Sequence, residues 1–237
     1  MEKVFCALDN MTKDEVLSFI EKSNGKLKNI KVGMELYYAE GPKFLQEIQE
    51  NYDLKIFLDL KLHDIPNTVA KAISSLKDLP VHFLTIHTSG GTQMIKAAIE
   101  SARKNLPSAK ILGVSYLTSL APHDLKEMWG IEESEIPKAF ERFFKVGIEA
   151  GIDGFILSPL ELNILSSVEK EMKANVLKVT PGIRFADEIA SGQTQDQKRV
   201  LSPEEAIANG ADYLVMGRSL SQANDLMARI NEIESIH

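Results

Sequence analysis

The sequence predicts one (β/α)8 barrel domain that extends over residues 1–237. Short apolar runs alternate with helical patterns along the whole chain, and together they make eight strand–helix units. No linker-like or low-complexity segment separates these units. Eight near-even units in a chain of 237 residues are typical of a (β/α)8 barrel. A doubly wound parallel sheet is the second candidate, but it seldom contains so many units.

The eight predicted strands are short apolar runs bounded by polar residues, glycine or proline. They cover residues 4–8, 30–34, 56–62, 81–86, 111–116, 154–157, 176–180 and 213–216. In a parallel barrel the C-terminal ends of all strands meet at one face, where this fold builds its active sites. The residues that end these strands are therefore the first candidates for function.

The helices between the strands begin at recognisable signals. Thr12 and Glu15 form a capping box for the first helix, and Ser202-Pro203 begins a later helix in a similar way. The last predicted helix starts at Arg218 and continues through Ile230. Residues 185–201 are polar, contain three glutamines and are expected to form a mobile loop that closes over a ligand.

Composition and charge exclude several classes of protein. A net charge of −7 argues against a general binder of nucleic acid or of an anionic membrane. The single cysteine, Cys6, lies in an apolar strand, so we expect it to pack in the core without a disulfide. No signal pattern precedes the first strand, and no apolar run approaches the ~20 residues that a membrane span needs. These observations indicate a cytoplasmic enzyme or small-molecule-binding protein.

The most informative stretch is 56–68, which places Asp59, Lys61 and Asp64 in otherwise apolar surroundings. Alternate side chains of a strand share a face, so Asp59 and Lys61 point to the same side. Asp64 lies on the loop beyond, because helical spacing begins after Pro66. An ion pair that closes the barrel mouth would explain Asp59 and Lys61 alone. Two carboxylates around one ammonium at a strand end favour catalysis instead.

Two further charged residues end neighbouring strands. Lys31 is flanked by apolar residues, so it either extends its ammonium to solvent or faces a carboxylate across the barrel, for which Asp59 is a candidate. Asp9 follows the first strand and either joins this cluster or caps the first helix. His87 ends the fourth strand and is interpreted as a hydrogen-bonded core histidine. No convincing set of metal ligands is visible among these residues.

An anion site is predicted after the last two strands. Gly217-Arg218 stands at the start of a helix, where free backbone N–H groups and the helix dipole attract an anion. Barrels of this class commonly bind phosphate at the loops after strands seven and eight. Gly182 and Arg184 follow the seventh strand, so both loops are expected to contact the same anion. An arginine near a helix start without a ligand is less favourable, because the dipole repels a cation.

Taken in order, the chain contains A-L-D, K-V-G, D-L-K-L-H-D-I-P-N-T, L-T-S, T-P-G-I-R, D-Q-K-R and V-M-G-R-S. With these motifs it resembles the orotidine 5′-phosphate decarboxylase family over nearly its whole length. The central D-x-K-x-x-D is shared with sugar-phosphate decarboxylases and synthases of the same barrel group. The following I-P-N-T, together with K-V-G and D-Q-x-R, favours the orotidine 5′-phosphate decarboxylase family over those other enzymes.

The resemblance implies a homodimer that converts orotidine 5′-monophosphate to uridine 5′-monophosphate without a metal or organic cofactor, as the last step of de novo pyrimidine synthesis. It implies a catalytic set of Lys31, Asp59, Lys61 and Asp64, in which Lys61 protonates C6 and the partner subunit supplies Asp64 and Thr68. The implied substrate-binding residues are Asp9, Lys31, Asp59, Ile65, Thr68, Thr118, Pro181, Arg184, Gln197, Gly217 and Arg218. Gln197 is preferred to its two neighbouring glutamines because it alone stands in D-Q-x-R.

Two other functions stay open at this point. One is a Mg²⁺-dependent sugar-phosphate decarboxylase or lyase on the same barrel, which EDTA would inhibit. The other is a non-catalytic binder of phosphoribosyl ligands, which would bind without turnover. The second is less favourable, because a pure binder gains little from burying a charge array.

Overall fold

Eight parallel strands, hydrogen-bonded in chain order, close into a barrel. This arrangement comes from a computed structural model, which describes residues 1–117, 119–192 and 200–236. The last strand pairs with the first through Val4 and Leu214, and this contact closes the ring. The predicted (β/α)8 fold class is therefore confirmed.

The strands agree with the predicted ones to within one or two residues at most ends. They are β1 (Val4–Ala7), β2 (Asn29–Gly33), β3 (Lys55–Leu62), β4 (Val81–His87), β5 (Lys110–Val114), β6 (Gly154–Ile156), β7 (Leu177–Thr180) and β8 (Tyr213–Met216). Their apolar composition explains this agreement, because strands covered on both faces are recognisable as short continuous apolar runs.

The helices surround the barrel. In the described ranges they are α1 (Lys13–Lys22), α2 (Met34–Glu40), α3 (Pro42–Asn51), α4 (Pro66–Ser75), α5 (Gly91–Asn105), α6 (Pro122–Trp129), α7 (Ile136–Ala150), α8 (Leu162–Met172), α9 (Ala186–Ala190), α10 (Pro203–Ala208), α11 (Arg218–Ser221) and α12 (Leu226–Glu234). The predicted capping boxes at Thr12 and Ser202 are both present. Across the described residues no helix has the length and apolarity that crossing a membrane requires.

Three local predictions were wrong. The second strand ends at Gly33 rather than at Met34, which instead begins α2. The last helix is split, because α11 has only four residues and Asp225 caps a separate α12. The predicted loop over residues 185–201 also does not begin as a loop. Phe185 is fully buried beneath the guanidinium of Arg229, whose Cζ lies 4.2 Å from the ring centroid, and α9 follows directly.

The barrel interior is filled by aromatic rings below a polar mouth. Phe5, Phe57, Phe83 and Tyr213 contact one another with centroid distances of 5.1 to 5.8 Å. The leucines of β3 alternate along the strand with the residues that point inward, and they pack outward against the helices. Asp59 follows Phe57 by two residues, so the strand periodicity places its carboxylate inside the barrel, above this aromatic floor.

Candidate active site

A pocket of about 540 Å³ opens at the C-terminal ends of the strands. Its volume is in the range of small-molecule sites in proteins. Most of the sequence-predicted site residues line it, namely Asp9, Lys31, Asp59, Lys61, Pro181, Arg184, Gly217 and Arg218. The fold therefore brings together residues from five different strands or the loops that follow them.

Asp59 is the centre of the charged cluster in this pocket. Its Oδ2 atom lies 2.7 Å from Nζ of Lys61 and 3.5 Å from Nζ of Lys31. Its Oδ1 atom accepts a hydrogen bond of 2.8 Å from the Thr85 hydroxyl. The expectation that Asp59 and Lys61 point to the same side is thus confirmed, whereas Lys31 reaches Asp59 from the neighbouring strand β2 rather than from across the barrel.

Burial and charge act in opposite directions on Asp59. Burial by itself would raise the pKa of this carboxyl. The ammonium groups of Lys31 and Lys61, with hydrogen bonds from Lys61 and Thr85, outweigh that effect and hold the pKa below its ordinary value. Asp59 is therefore ionised at neutral pH, and its negative charge lies between two ammonium groups.

Lys61 has an unusual backbone conformation. Its φ is +48°, in the left-handed region that few residues other than glycine occupy. The strand register explains this, because Leu58 pairs with Leu84 while Leu62 pairs with Ile86, so β3 has extra residues opposite β4. Such strain of about 1–3 kcal/mol persists only where surrounding contacts enforce it, and it is concentrated at functional sites.

Asp9 and Lys31 form the second ion pair of the pocket. Both carboxylate oxygens of Asp9 lie 3.0 Å from Nζ of Lys31. The alternative role of Asp9 as a helix cap is wrong, because Thr12 caps α1. Gly33 makes room for this pair, since a Cβ at that position would lie 2.6 Å from Oδ1 of Asp9.

The predicted phosphate end is formed by the loops after β7 and β8. Pro181 and Arg184 line the pocket from the first loop, and Gly217 and Arg218 line it from the second. Arg184 is largely buried and donates to the carbonyl of Ile183. The helix that starts at Arg218 has a single turn, so its dipole is weaker than the sequence analysis assumed. Gly217 and the Arg218 side chain nevertheless line the pocket, as predicted.

Three predicted site residues lie apart from the pocket. Asp64, Ile65 and Thr68 are exposed, and none of them belongs to the pocket lining. They lie where β3 leads into α4, and Ile65 exposes 67% of its area. Thr118 and Gln197 lie outside the described residues.

Several residues of the pocket were not identified from the sequence. Asn10, Met34, Glu35 and Ser119 line it, and the backbone N–H of Asn10 donates to Oε2 of Glu35 at 3.1 Å. Thr85, which contacts Asp59, was also missed. Its position between Phe83 and His87 on an alternating strand was the available signal, because it predicts a side chain directed into the barrel.

His87 lies at the mouth beside this cluster. Its ring centroid is 5.2 Å from that of His63, and burial together with His63 lowers its pKa. His87 is thus a neutral histidine that is only partly buried, so its interpretation as a core histidine was wrong. Among the described residues no group of three or more His, Cys, Asp or Glu side chains is arranged to hold a metal ion.

Comparisons with known proteins agree with this geometry. The orotidine 5′-phosphate decarboxylase of Listeria monocytogenes serovar 1/2a is 39% identical over 237 residues, with 98% of this chain and 97% of that protein covered. The orotidine 5′-phosphate decarboxylase of Oenococcus oeni is 39% identical over 231 residues, with 97% and 96% covered.

The solved structure of orotidine 5′-phosphate decarboxylase from Lactobacillus acidophilus has the same fold. It superimposes with a TM-score of 0.78 at 31% identity, with 98% of this chain and 96% of that chain covered. A family model described as orotidine 5′-phosphate decarboxylase / HUMPS family matches residues 2–233. The barrel with its Asp9, Lys31, Asp59 and Lys61 array therefore belongs to the orotidine 5′-phosphate decarboxylase / HUMPS family.

Proposed function

We propose that the protein decarboxylates orotidine 5′-monophosphate to uridine 5′-monophosphate, the last step of de novo pyrimidine synthesis, with its own side chains and no metal or organic cofactor. The observation that carries this proposal is the alternating array of Asp9, Lys31, Asp59 and Lys61 at the base of the pocket. Family membership supports the same reaction, because the similar proteins of known name are orotidine 5′-phosphate decarboxylases.

The chemistry requires an acid beside the carbon that loses carbon dioxide. When the bond between C6 and the carboxylate breaks, the electron pair stays in an in-plane orbital that the pyrimidine π-system does not delocalise. A lysine ammonium aimed at C6 stabilises this developing charge and then donates its proton to the carbon. Lys61 serves as this acid, and solvent returns the proton after product release.

Asp59 and Lys31 hold the acid in position. The contact of 2.7 Å between Asp59 and Lys61 fixes the ammonium at the pocket floor. Lys31 bridges Asp59 and Asp9, so displacement of any one member disturbs the others. Asp9 and Lys31 also have the polar groups to bind the ribose hydroxyls, while Thr118 contacts the pyrimidine ring.

The distant phosphate group supplies binding energy. Arg184, Gly217 and Arg218 bind it from two loops, together with Gln197 and with Pro181 packing alongside. Arginine forms strong charge-assisted hydrogen bonds with phosphate oxygens, and glycine lets the backbone approach closely. Binding energy from a group remote from the reacting carbon can be used to orient and desolvate that carbon.

A homodimer completes the site. Asp64, Ile65 and Thr68 are exposed and lie outside the pocket of their own chain, although they follow directly on the strand that holds Lys61. We infer that they contact the substrate in the pocket of a second copy. Asp64 of the partner subunit then becomes the second carboxylate beside Lys61, and Thr68 of the partner subunit reaches the ribose.

One assay tests the proposed reaction. Purified protein is mixed with orotidine 5′-monophosphate, with and without EDTA, while the orotate absorbance is followed. Loss of this absorbance at equal rates with and without EDTA supports the proposal. Inhibition by EDTA would favour a metal-dependent lyase, and saturable binding of uridine 5′-monophosphate without turnover would favour a non-catalytic binder.

A further inference from the structure

Thr85 lies on β4 with its side chain fully buried and directed into the barrel. Its hydroxyl donates to Oδ1 of Asp59 at 2.8 Å and accepts the backbone N–H of Lys61 at 2.9 Å. A hydroxyl has only one proton to donate, so the donor function of Thr85 is committed to Asp59. The same oxygen therefore connects the central carboxylate with the backbone of the proposed acid.

The Lys61 backbone needs this contact for a structural reason. Three residues of β3, between Leu58 and Leu62, pass opposite a single residue of β4, between Leu84 and Ile86. Residues in such a bulge lose their partners in the regular ladder of backbone hydrogen bonds. The Thr85 hydroxyl replaces the missing acceptor for Lys61, whose φ of +48° requires support from its surroundings.

The Asp59 carboxylate is oriented by the same hydroxyl. Oδ1 contacts Thr85, whereas Oδ2 faces the ammonium groups of Lys61 and Lys31. Rotation of the carboxylate would break the first contact and move Oδ2 away from both lysines. Thr85 thus fixes the two groups whose relative position determines where the Lys61 ammonium points.

We propose that Thr85 is a positioning residue for catalysis, which holds the Asp59 carboxylate and the bulged Lys61 backbone so that the ammonium is aimed at the reacting carbon. This inference rests on the proposed function of Lys61. Thr85 itself does not belong to the pocket lining, so its effect passes through Asp59 and Lys61.

The substitution Thr85→Val removes the hydroxyl and keeps the branched shape. We expect kcat to fall about tenfold or more, because a displacement of a catalytic group by about 1 Å has effects of that size or larger. The Kd for uridine 5′-monophosphate should change less than about threefold, since the groups that bind ribose and phosphate remain. Thr85→Ser keeps the hydroxyl and should retain near wild-type kcat.

A second pair of variants keeps the proposal testable if Thr85→Val fails to fold. Thr85→Ala and Thr85→Ser both lose the methyl group and differ only in the hydroxyl. A large kcat difference between them supports positioning by the hydroxyl. Equal kcat values in alanine, serine and wild-type proteins would overturn the proposal, as would a serine variant as slow as the alanine variant.

The pH dependence gives a readout that a purely structural role would not change. Asp59 is faced by Lys31 from β2, by Lys61 on its own strand and by His87 on β4, and Asp9 is bonded to Lys31. Loss of the Thr85 hydrogen bond removes one of the contacts that lower the Asp59 pKa. The acid limb of the kcat profile should therefore move to higher pH in Thr85→Val and return in Thr85→Ser.

Titration of the Asp59 carboxyl by ¹³C NMR separates this proposal from the proposed reaction. If the wild-type protein fails to decarboxylate orotidine 5′-monophosphate, the proposed function is wrong, but a raised Asp59 pKa in Thr85→Val still supports the positioning contact. If the wild type is active and Thr85→Val shows unchanged kcat and unchanged Asp59 pKa, the positioning role is wrong and the proposed function stands.

Discussion

At the scale of single residues, the cluster around Asp59 shows how a buried charge is made tolerable. A carboxylate in an apolar barrel interior costs several kcal/mol unless charges and hydrogen bonds compensate it. Here Lys31, Lys61 and Thr85 all contact Asp59, and their combined effect outweighs burial. The same contacts hold the Lys61 ammonium at the pocket floor, so compensation and orientation come from one arrangement.

Lys61→Ala should lower turnover by roughly a thousandfold or more, because the acid and the main stabilising charge are both removed. The fold and the binding of uridine 5′-monophosphate should persist, since Lys31 still lies 3.5 Å from Asp59. Turnover by absorbance and binding by calorimetry measure these two effects. Lys55→Ala, at the opposite, exposed end of β3, is the matched control and should behave as wild type. Appreciable residual decarboxylation in Lys61→Ala would mean that another group is the acid.

Gly33→Ala should disturb the Asp9–Lys31 pair, because the new methyl carbon would lie 2.6 Å from Oδ1 of Asp9. We expect kcat/KM to fall about tenfold. A double-mutant cycle with Asp9→Ala tests the cause, since contacting residues give non-additive effects. In the Asp9→Ala background the added methyl should change kcat/KM little. Additive losses would show that Gly33 acts through some other contact.

The Asp59–Lys61–Lys31 cluster was predictable from the sequence, whereas the contact of Thr85 with Asp59 was not, and the reason is physical. The cluster follows from strand periodicity, which applies to Asp59 and Lys61 whatever their neighbours are. The bulge that gives Lys61 its positive φ depends on the pairing of β3 with β4. No residue type within β3 indicates such a bulge. Threonine is ordinary in a strand, so its contact with Asp59 becomes visible only when both strands are placed.

At the scale of elements, the strands were predictable and the connections after β2, β7 and β8 were not. Gly33 and Gly41 allow two helices, α2 and α3, in one crossover, whereas the apolar spacing showed only the second. Phe185 looked like part of a polar loop, but its ring packs in the core against Arg229. The error at Phe185 concerns a contact between segments distant in sequence, which a local pattern does not contain.

The next prediction concerns the one-turn helix α11, whose first residue, Arg218, is proposed to bind the substrate phosphate. Arg218→Ala should lower kcat/KM for orotidine 5′-monophosphate at least about tenfold, because a hydrogen bond to a charged group contributes about 1.5–3 kcal/mol. Orotidine without phosphate is the control substrate. Its much slower decarboxylation should be unchanged in the variant, since Arg218 has no phosphate to contact there. Equal losses with both substrates would mean that Arg218 acts on the reacting ring.

At the scale of the whole molecule, two partly buried histidines link stability to pH. Burial, with smaller contributions from neighbours, lowers the pKa of His82 and His87 below the ordinary 6.5. Near pH 6.5 these two histidines therefore bind more protons in the unfolded chain than in the folded chain. The free energy of unfolding consequently falls as the pH drops below that value. The lowered pKa of Asp59 adds a further loss below pH 3.8, as the pH falls through its folded-state value.

Urea unfolding at several values between about pH 7.5 and about pH 4 measures this dependence. His82→Gln should flatten the curve near pH 6, because glutamine does not titrate and its carbonyl can still accept the Ile56 N–H that Nδ1 of His82 accepts. His123→Gln is the matched control, since His123 is exposed. A stability curve with the same slope in His82→Gln and wild type would contradict the assignment.

Assembly of two chains is the remaining prediction for the whole molecule. Asp64 lies outside the pocket that contains Lys61 of its own chain, so a shared site needs Lys61 from one subunit and Asp64 of the partner subunit. Lys61→Ala and Asp64→Asn should each form nearly inactive dimers. A mixed dimer of the two variants contains one site with both changes and one site with neither. Random reassortment of equal amounts should therefore restore about a quarter of the wild-type activity.

Lys31→Ala mixed with Lys61→Ala is the matched control, because both lysines line the pocket of one chain. In that mixture every mixed dimer has one substitution in each site, so no activity should return. Recovery with Asp64→Asn but not with Lys31→Ala would establish that the site is shared. If neither mixture recovers activity although both variants exchange subunits, Asp64 serves its own chain, and the surface formed by Asp64, Ile65 and Thr68 must close over the pocket beside it.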